Sequence, residues 1–467
     1  MKNSRLSLIF NTFSKKEIRD LRKWLLSPAH NQRQDVRDLF EYLGKNSENL
    51  SEKEQVYKKL FPNSPFDDAK FRQTVHFLQK AIEEFLIFQE LTTDQVRAKT
   101  ALATVFRKRK IDKLFNKTIR EAKELQEKSD YRNADYQENE FQIELEQYAF
   151  KEKLKRTTEM NLQEVSDALD LTYIARKLRY SHLMHAHQTV YKTEYDFGLL
   201  DKTLNHIEET RLEKIPSIGI YYHGMKNNLK KDEVIHFQNF KKAIFKNAHL
   251  FPKEEARDIY LMAINHLINR MNSGDEPAIR EVFDIYVKGI EEKLLFEDGF
   301  LSRFTFRNVI AIGLKLNEFE WVDHFIENYQ PFLQEKFREN VVHFSKANMA
   351  YVKKDYSAAM QLLTQVEDND TLMNLNAKNM LVKMFYEEDE FDALESLLSS
   401  MRTYLTRKKV VGYHKSFINN FIKLTKKLLK VSPYDKEQIE KLRLDIMEAT
   451  PMASSEREWL LTQLSRI

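Results

Sequence analysis

Residues 303–404 repeat themselves, and this limits what the chain can fold into more than any other feature. With Phe319, Tyr356 and Phe391 set in register, the copies lie 37 and 35 residues apart. Leu314, Tyr351 and Tyr386 then fall five residues before each aromatic, and Gly313, Ala350 and Phe385 six before. Val322, Ala359 and Leu394 fall three after, and Phe325-Ile326, Leu362-Leu363 and Leu397-Leu398 six and seven after. The pattern reads as helix, short polar turn, helix, written three times. A unit of this length cannot bury its apolar face alone, so the repetition predicts hairpins stacked into an α-solenoid.

Composition agrees. With nine glycines and nine prolines in 467 residues, few positions can break a helix or make a hairpin turn. Helical periods dominate, and the fold class expected is all-α. An N-terminal helical bundle is expected over 1–92, degenerate helical hairpins and long helices over 93–295, and the solenoid with C-terminal capping helices over 296–467. The 75 basic and 71 acidic residues leave a net charge of +4, too balanced to argue for nucleic acid from totals. The absence of cysteine removes disulfides, thiol nucleophiles and thiolate metal sites, and fits a reducing compartment. The apolar run Leu6–Phe10 is too short for a signal-peptide core, and no window approaches 18 uninterrupted apolar residues. A cytoplasmic protein without a membrane span is expected.

Local signals order the rest. Ser14 with Glu17, and Ser51 with Glu54, have capping-box spacing, and Gly44 is placed to end a helix. A long helix is expected to about residue 91, and another from Thr92-Thr93-Asp94 to about 128. The latter contains Arg107-Lys108-Arg109-Lys110, the densest basic run, which reads as a solvated face or as a contact for an acidic partner or nucleic acid. The tract around His182, His185 and His187 invites a metal reading, but only His182 and His185 share a helix face, and packed neutral imidazoles are the simpler reading. Helices are expected over 196–295, with no clean repeat register there.

The fragment Ala347-Asn348-Met349-Ala350-Tyr351 followed by Tyr356 and Ala359 resembles tetratricopeptide repeats. The likeness covers about a fifth of the chain. It departs in its longer units and in Phe385, Val322 and Leu394 at positions the family keeps small. The resemblance implies a right-handed solenoid of antiparallel helix pairs whose concave face binds a protein or peptide. Some members of the family clamp a peptide carboxylate with Lys and Asn. Asn348 and Lys383 sit at equivalent offsets, eight residues before their turn aromatics, while Ala311 takes the third such position.

The sharpest charge boundary comes last. Residues 396–434 hold no acid and nine bases: Arg402, Arg407, Lys408, Lys409, Lys415, Lys423, Lys426, Lys427 and Lys430. Just before them, residues 364–395 hold nine acids and two bases, with the run Glu387-Glu388-Asp389-Glu390. The basic stretch reads as an internal complement to those acids, as a nucleic-acid or acidic-protein patch, or as a membrane-surface helix. A last helix is expected behind a Ser455–Glu458 capping box, with Trp459, Leu460 and Leu464 closing the stack. No phosphate-loop, dinucleotide, nucleophile-elbow or HExxH signature occurs. The function expected is therefore a non-catalytic scaffold without cofactor or small-molecule substrate, with nucleic-acid binding through 402–430 as the alternative.

Overall fold

A computed structural model describes residues 4–46, 52–154, 157–191, 193–230, 233–366, 371–407, 412–452 and 454–467. Among them lie 23 α-helices and one pair of two-residue strands. The fold is all-α, and none of the helices is long and apolar enough to cross a membrane. The chain forms two compact units, one of residues 1–130 and 134–173, the other of 131–133 and 174–467.

In the first unit, five helices from Arg5–Phe10 to Asp68–Thr93 enclose a core that includes Leu21, Leu39, Phe40, Tyr57, Phe71, Leu78 and Ile82. Burying each such side chain stabilises the unit by roughly 1.5–3 kcal/mol. The expected Ser14–Glu17 capping box is present, with both reciprocal bonds at 3.2 and 2.7 Å. Gly44, by contrast, lies inside Gln34–Asn46 and does not end it. Ser51 lies outside the described residues, and the helix Lys53–Leu60 begins after Glu52 with no side-chain cap.

Asp94 caps the next helix by accepting from the Val96 and Arg97 amides. The long helix expected from there to 128 is two, Gln95–Lys108 and Asp112–Glu127, packed as a hairpin. The chain reverses inside the basic run. Lys110 is left-handed at φ 60°, its amide donates to the Arg107 carbonyl, and the Ile111 amide donates to that of Phe106. This pair of bonds satisfies the orphan carbonyls of the helix end, which lets a non-glycine residue take the cost of positive φ.

The second unit carries the repeat. Pro216–Leu229 pairs with Val234–Asn247, Lys253–Asn272 with Pro277–Glu291, and Arg303–Lys315 with Phe319–Tyr329. Glu335–Val352 then pairs with Tyr356–Leu363, Thr371–Glu387 with Phe391–Arg407, and Gly412–Leu428 with Lys436–Glu448. The first helix of one pair packs on the first helix of the next, from Arg303–Lys315 through Glu335–Val352 to Thr371–Glu387. Consecutive pairing and stacking of this kind fit a solenoid, and the pairing extends into 216–291, where the sequence shows no clean register.

The repeat register has a backbone cause. Asn317, Lys354 and Asp389, each two residues before its turn aromatic, are left-handed at φ 61°, 63° and 59°. In each turn the following amide reaches back to the residue six before the aromatic, giving Glu318 to Gly313, Asp355 to Ala350 and Glu390 to Phe385 at 2.8–2.9 Å. Gly313 also lets the two helices of its hairpin approach, since a Cβ there would lie 2.7 Å from Val322 Cγ2. Among the described residues the only strands are the antiparallel pair Phe296–Glu297 and Phe300–Leu301, turned by Asp298 and Gly299, both at positive φ. An Asp-Gly pair is the residue choice for such a turn.

Candidate functional site

The inner face of the C-terminal hairpins encloses a groove of about 770 Å³. Three helices supply most of its wall at helical spacing. Arg307, Ala311 and Lys315 come from Arg303–Lys315; Phe344, Asn348 and Tyr351 from Glu335–Val352; Asn376, Asn379 and Lys383 from Thr371–Glu387. Side chains four and three residues apart share a helix face, so each set forms one stripe. The three positions eight residues before the turn aromatics, Ala311, Asn348 and Lys383, thus line one cavity.

The opposite wall is the chain's own last helix, Ser454–Leu464. Lys383 Nζ meets Glu456 Oε1 at 3.4 Å, with both side chains 12% exposed. Lys315 Nζ meets both carboxylate oxygens of Glu458, at 2.8 and 3.0 Å. Trp459, Leu460 and Leu464 are buried in the core beneath, as the sequence suggests. The expected Ser455–Glu458 capping box does not form. Ser455 lies within the helix and donates to Glu456, which leaves Glu458 for Lys315.

Behind the groove a carboxylate ties three segments together. Glu387, with a side chain 7% exposed, accepts from Tyr351 Oη at 3.0 Å, Lys354 Nζ at 2.6 Å and Trp459 Nε1 at 2.8 Å, and also from the Tyr356 hydroxyl. Burial raises its pKa, but the bonds from Lys354, Tyr356, Trp459 and Tyr351 outweigh burial and hold the carboxyl below the ordinary glutamate value. The same burial, with the neighbouring Glu387 charge, pushes the Tyr351 hydroxyl far up, so it stays a donor.

Asn379 is the groove's most telling polar residue. It is 3% exposed, and its Oδ1 has no hydrogen-bond partner among the described residues. A buried amide oxygen left in this state costs roughly 1–3 kcal/mol.

The basic stretch is organised differently. Lys427 pairs with Asp445 on the following helix, and Lys423 lines the same small cleft as Lys427, Asp445 and Glu448. The Lys427 hydrogen bond is the main cause of the lowered Asp445 pKa. Among the described residues the acids at 387–390 make no ion pair with the lysines of this stretch, and Glu387 is engaged by Lys354. Phe421, Leu424 and Leu428 are buried in the core, so the apolar side of Gly412–Leu428 offers no membrane face. Arg402, Arg407, Lys415 and Lys430 are exposed and Lys426 is half-buried, while Lys408 and Lys409 lie outside the described residues.

In the histidine tract, His182 is buried and its Nε2 lies 2.7 Å from the Tyr221 carbonyl, while Nδ1 of His187 faces the Tyr195 hydroxyl at 2.9 Å. Arg307, Asn376, Asn379 and the acids of the last helix are not legible from motif spacing alone. The register does reach Asn379 and Asn376, which sit one and two turns before Lys383 on the same stripe. Among known proteins, no family model and no curated protein matches the chain.

Proposed function

We propose that the C-terminal array is a right-handed, tetratricopeptide-like solenoid. In this reading it is a non-catalytic scaffold that holds a segment of a partner protein along the groove. Asn379 carries the reading, as an acceptor buried in the groove wall with no donor facing it among the described residues. Asn348 and Asn376 stand on the same inner face. An asparagine amide offers one acceptor and two donors, which matches the alternating N–H and C=O of a peptide main chain. A nucleic acid on the basic stretch is supported less, since Lys427 already faces Asp445.

A photo-crosslinking residue at Ala311 tests this in cells, with Glu320 on the outer helix as control. A discrete protein adduct is expected from Ala311, absent from Glu320 and lost in the Asn379→Ala variant. Equal labelling from both positions, or none from Ala311, overturns the proposal. Salt-sensitive binding of a generic duplex that is lost in Lys415→Gln/Lys430→Gln would instead support nucleic acid.

A further inference from the structure

The basic run at 107–110 is left unused by the groove, and its surroundings give it a use. Its four members do not act alike. Arg107 makes a bidentate pair with Glu146, at 2.8 and 3.1 Å, and is mostly buried. Lys108, Arg109 and Lys110 are exposed at the hairpin tip, as is Lys113 one turn on, and none of the four has an ion pair among the described residues. The reversal at Lys110 is what turns a linear basic run into a protruding end.

The tip is also apolar. Val105, Ile111 and Leu114 stay 43%, 39% and 42% exposed. Phe115 of the hairpin stacks on Phe150 at 4.2 Å between centroids, which brings the end of Ala134–Lys151 alongside. Beyond Phe150 follow the exposed Lys153 and Leu154, the latter 45% exposed. The acids of this end are Asp112 and Glu152, both exposed. One end of the unit thus presents branched aliphatic side chains among five cations.

We propose that this end docks on the surface of an anionic phospholipid bilayer. The cations would meet the headgroup phosphates, while Ile111, Leu114 and Leu154 enter the headgroup–acyl boundary. The combination selects the occupant. An anionic bilayer rewards both charge and buried aliphatic area. A nucleic acid would use the cations but takes stacking from aromatic faces, and the exposed apolar groups here are aliphatic. Arg107 and Glu146 hold the tip from behind and are not themselves contacts.

Co-sedimentation of the full chain with phosphatidylserine-doped phosphatidylcholine vesicles, and with phosphatidylcholine alone, tests this at low salt. Partition into the anionic vesicles only is expected. Each of Lys108→Gln, Arg109→Gln and Lys110→Gln should weaken partition roughly fivefold, the equivalent of about 1 kcal/mol per basic residue at the surface. Ile111→Asp should weaken it further without lowering the melting temperature. Lys415→Gln/Lys430→Gln, on the other unit, should leave it unchanged. The inference is overturned if the chain ignores anionic vesicles, or if Ile111→Asp binds them as well as the native chain. It is equally overturned if a labelled single-stranded RNA is bound through the tip cations while vesicles are not.

Discussion

Two buried glutamates in the second unit do the same job by different means. Glu387 takes its donors from one repeat turn, where Tyr351, Lys354 and Tyr356 sit within six residues, and from Trp459 of the last helix. Glu255, 4% exposed, takes Tyr221 Oη at 2.7 Å, Asn133 Nδ2 at 3.2 Å and Arg179 at 3.4 Å, each from a different segment. The first network is part of a pattern whose aromatic positions recur at fixed offsets. The second is used once, by residues up to 122 positions away. A repeated contact shows itself in a single sequence, whereas a solitary one of equal burial does not.

The comparison breaks most sharply at Glu255. Glu255→Ala should leave the Tyr221 hydroxyl, the Asn133 amide and Arg179 without their shared acceptor, costing about 3–5 kcal/mol in urea unfolding. Glu255→Gln keeps an acceptor for Tyr221 and should cost well under half as much. If alanine and glutamine behave alike, the carboxylate is not the hub its geometry suggests.

The same region gives the next largest effect through pH. His182 is buried, and burial is the main cause that drives its pKa from 6.5 to about 4. A carbonyl can only accept, so His182 Nε2 donates to Tyr221 and carries the ring's proton. Nδ1 has no partner among the described residues, and charging the ring would bury an unpaired N–H. Gly224 is what admits the ring, since a Cβ there would lie 2.5 Å from His182 Cε1. The unfolded chain therefore takes up a proton that the folded chain refuses, and stability falls as pH drops from 6.5 to about 4, by roughly 3 kcal/mol. Glu387 loses its contribution only below the ordinary glutamate value of 4.5, as pH falls toward its own lowered pKa. Thermal melts between pH 6.5 and 5 should thus fall in the native chain and flatten in His182→Gln, while Glu387→Gln leaves that slope intact.

What was legible follows the same division. The turn aromatics, the Ser14–Glu17 cap and the buried Trp459 all announce themselves through local spacing. So does the equivalence of Ala311, Asn348 and Lys383, because register alone puts each of them eight residues before its turn aromatic. The reversal at Lys110 was hidden, because a lysine gives no sign of left-handed backbone and the apolar period runs through the turn. Hairpins over 216–291 were expected only as degenerate ones, because the aromatics there keep no common register, although the helices still pair in sequence. The partners of Lys383 and Lys427 were not readable, since they depend on which helices the stack brings face to face.

The array can be sharpened further at its closest helix approach. Gly313→Ala must move Val322 or open the hairpin, because 2.7 Å is closer than a real Cβ contact allows, and overpacking of this kind costs about 1–3 kcal/mol. The double variant Gly313→Ala/Val322→Ala should recover most of that loss, and failure to do so would place the strain elsewhere than in the Gly313–Val322 contact.

The smallest expected effect separates the groove's two walls. The Lys315–Glu458 pair is partly exposed, 33% and 55% by side chain, so its removal should cost no more than about 0.2–1 kcal/mol, and less at high salt. Lys383 and Glu456 are both 12% exposed, and screening by salt should reach them less. A double-mutant cycle of Lys383→Met with Glu456→Gln should therefore give a coupling that survives added salt, while the cycle of Lys315→Met with Glu458→Gln gives one that fades. Water and ions would then reach one end of the groove freely and the other hardly at all, so a bound segment would have its ionic contacts screened near Lys315 and preserved near Lys383. Couplings that fade alike would mean that the wall around Lys383 opens in solution.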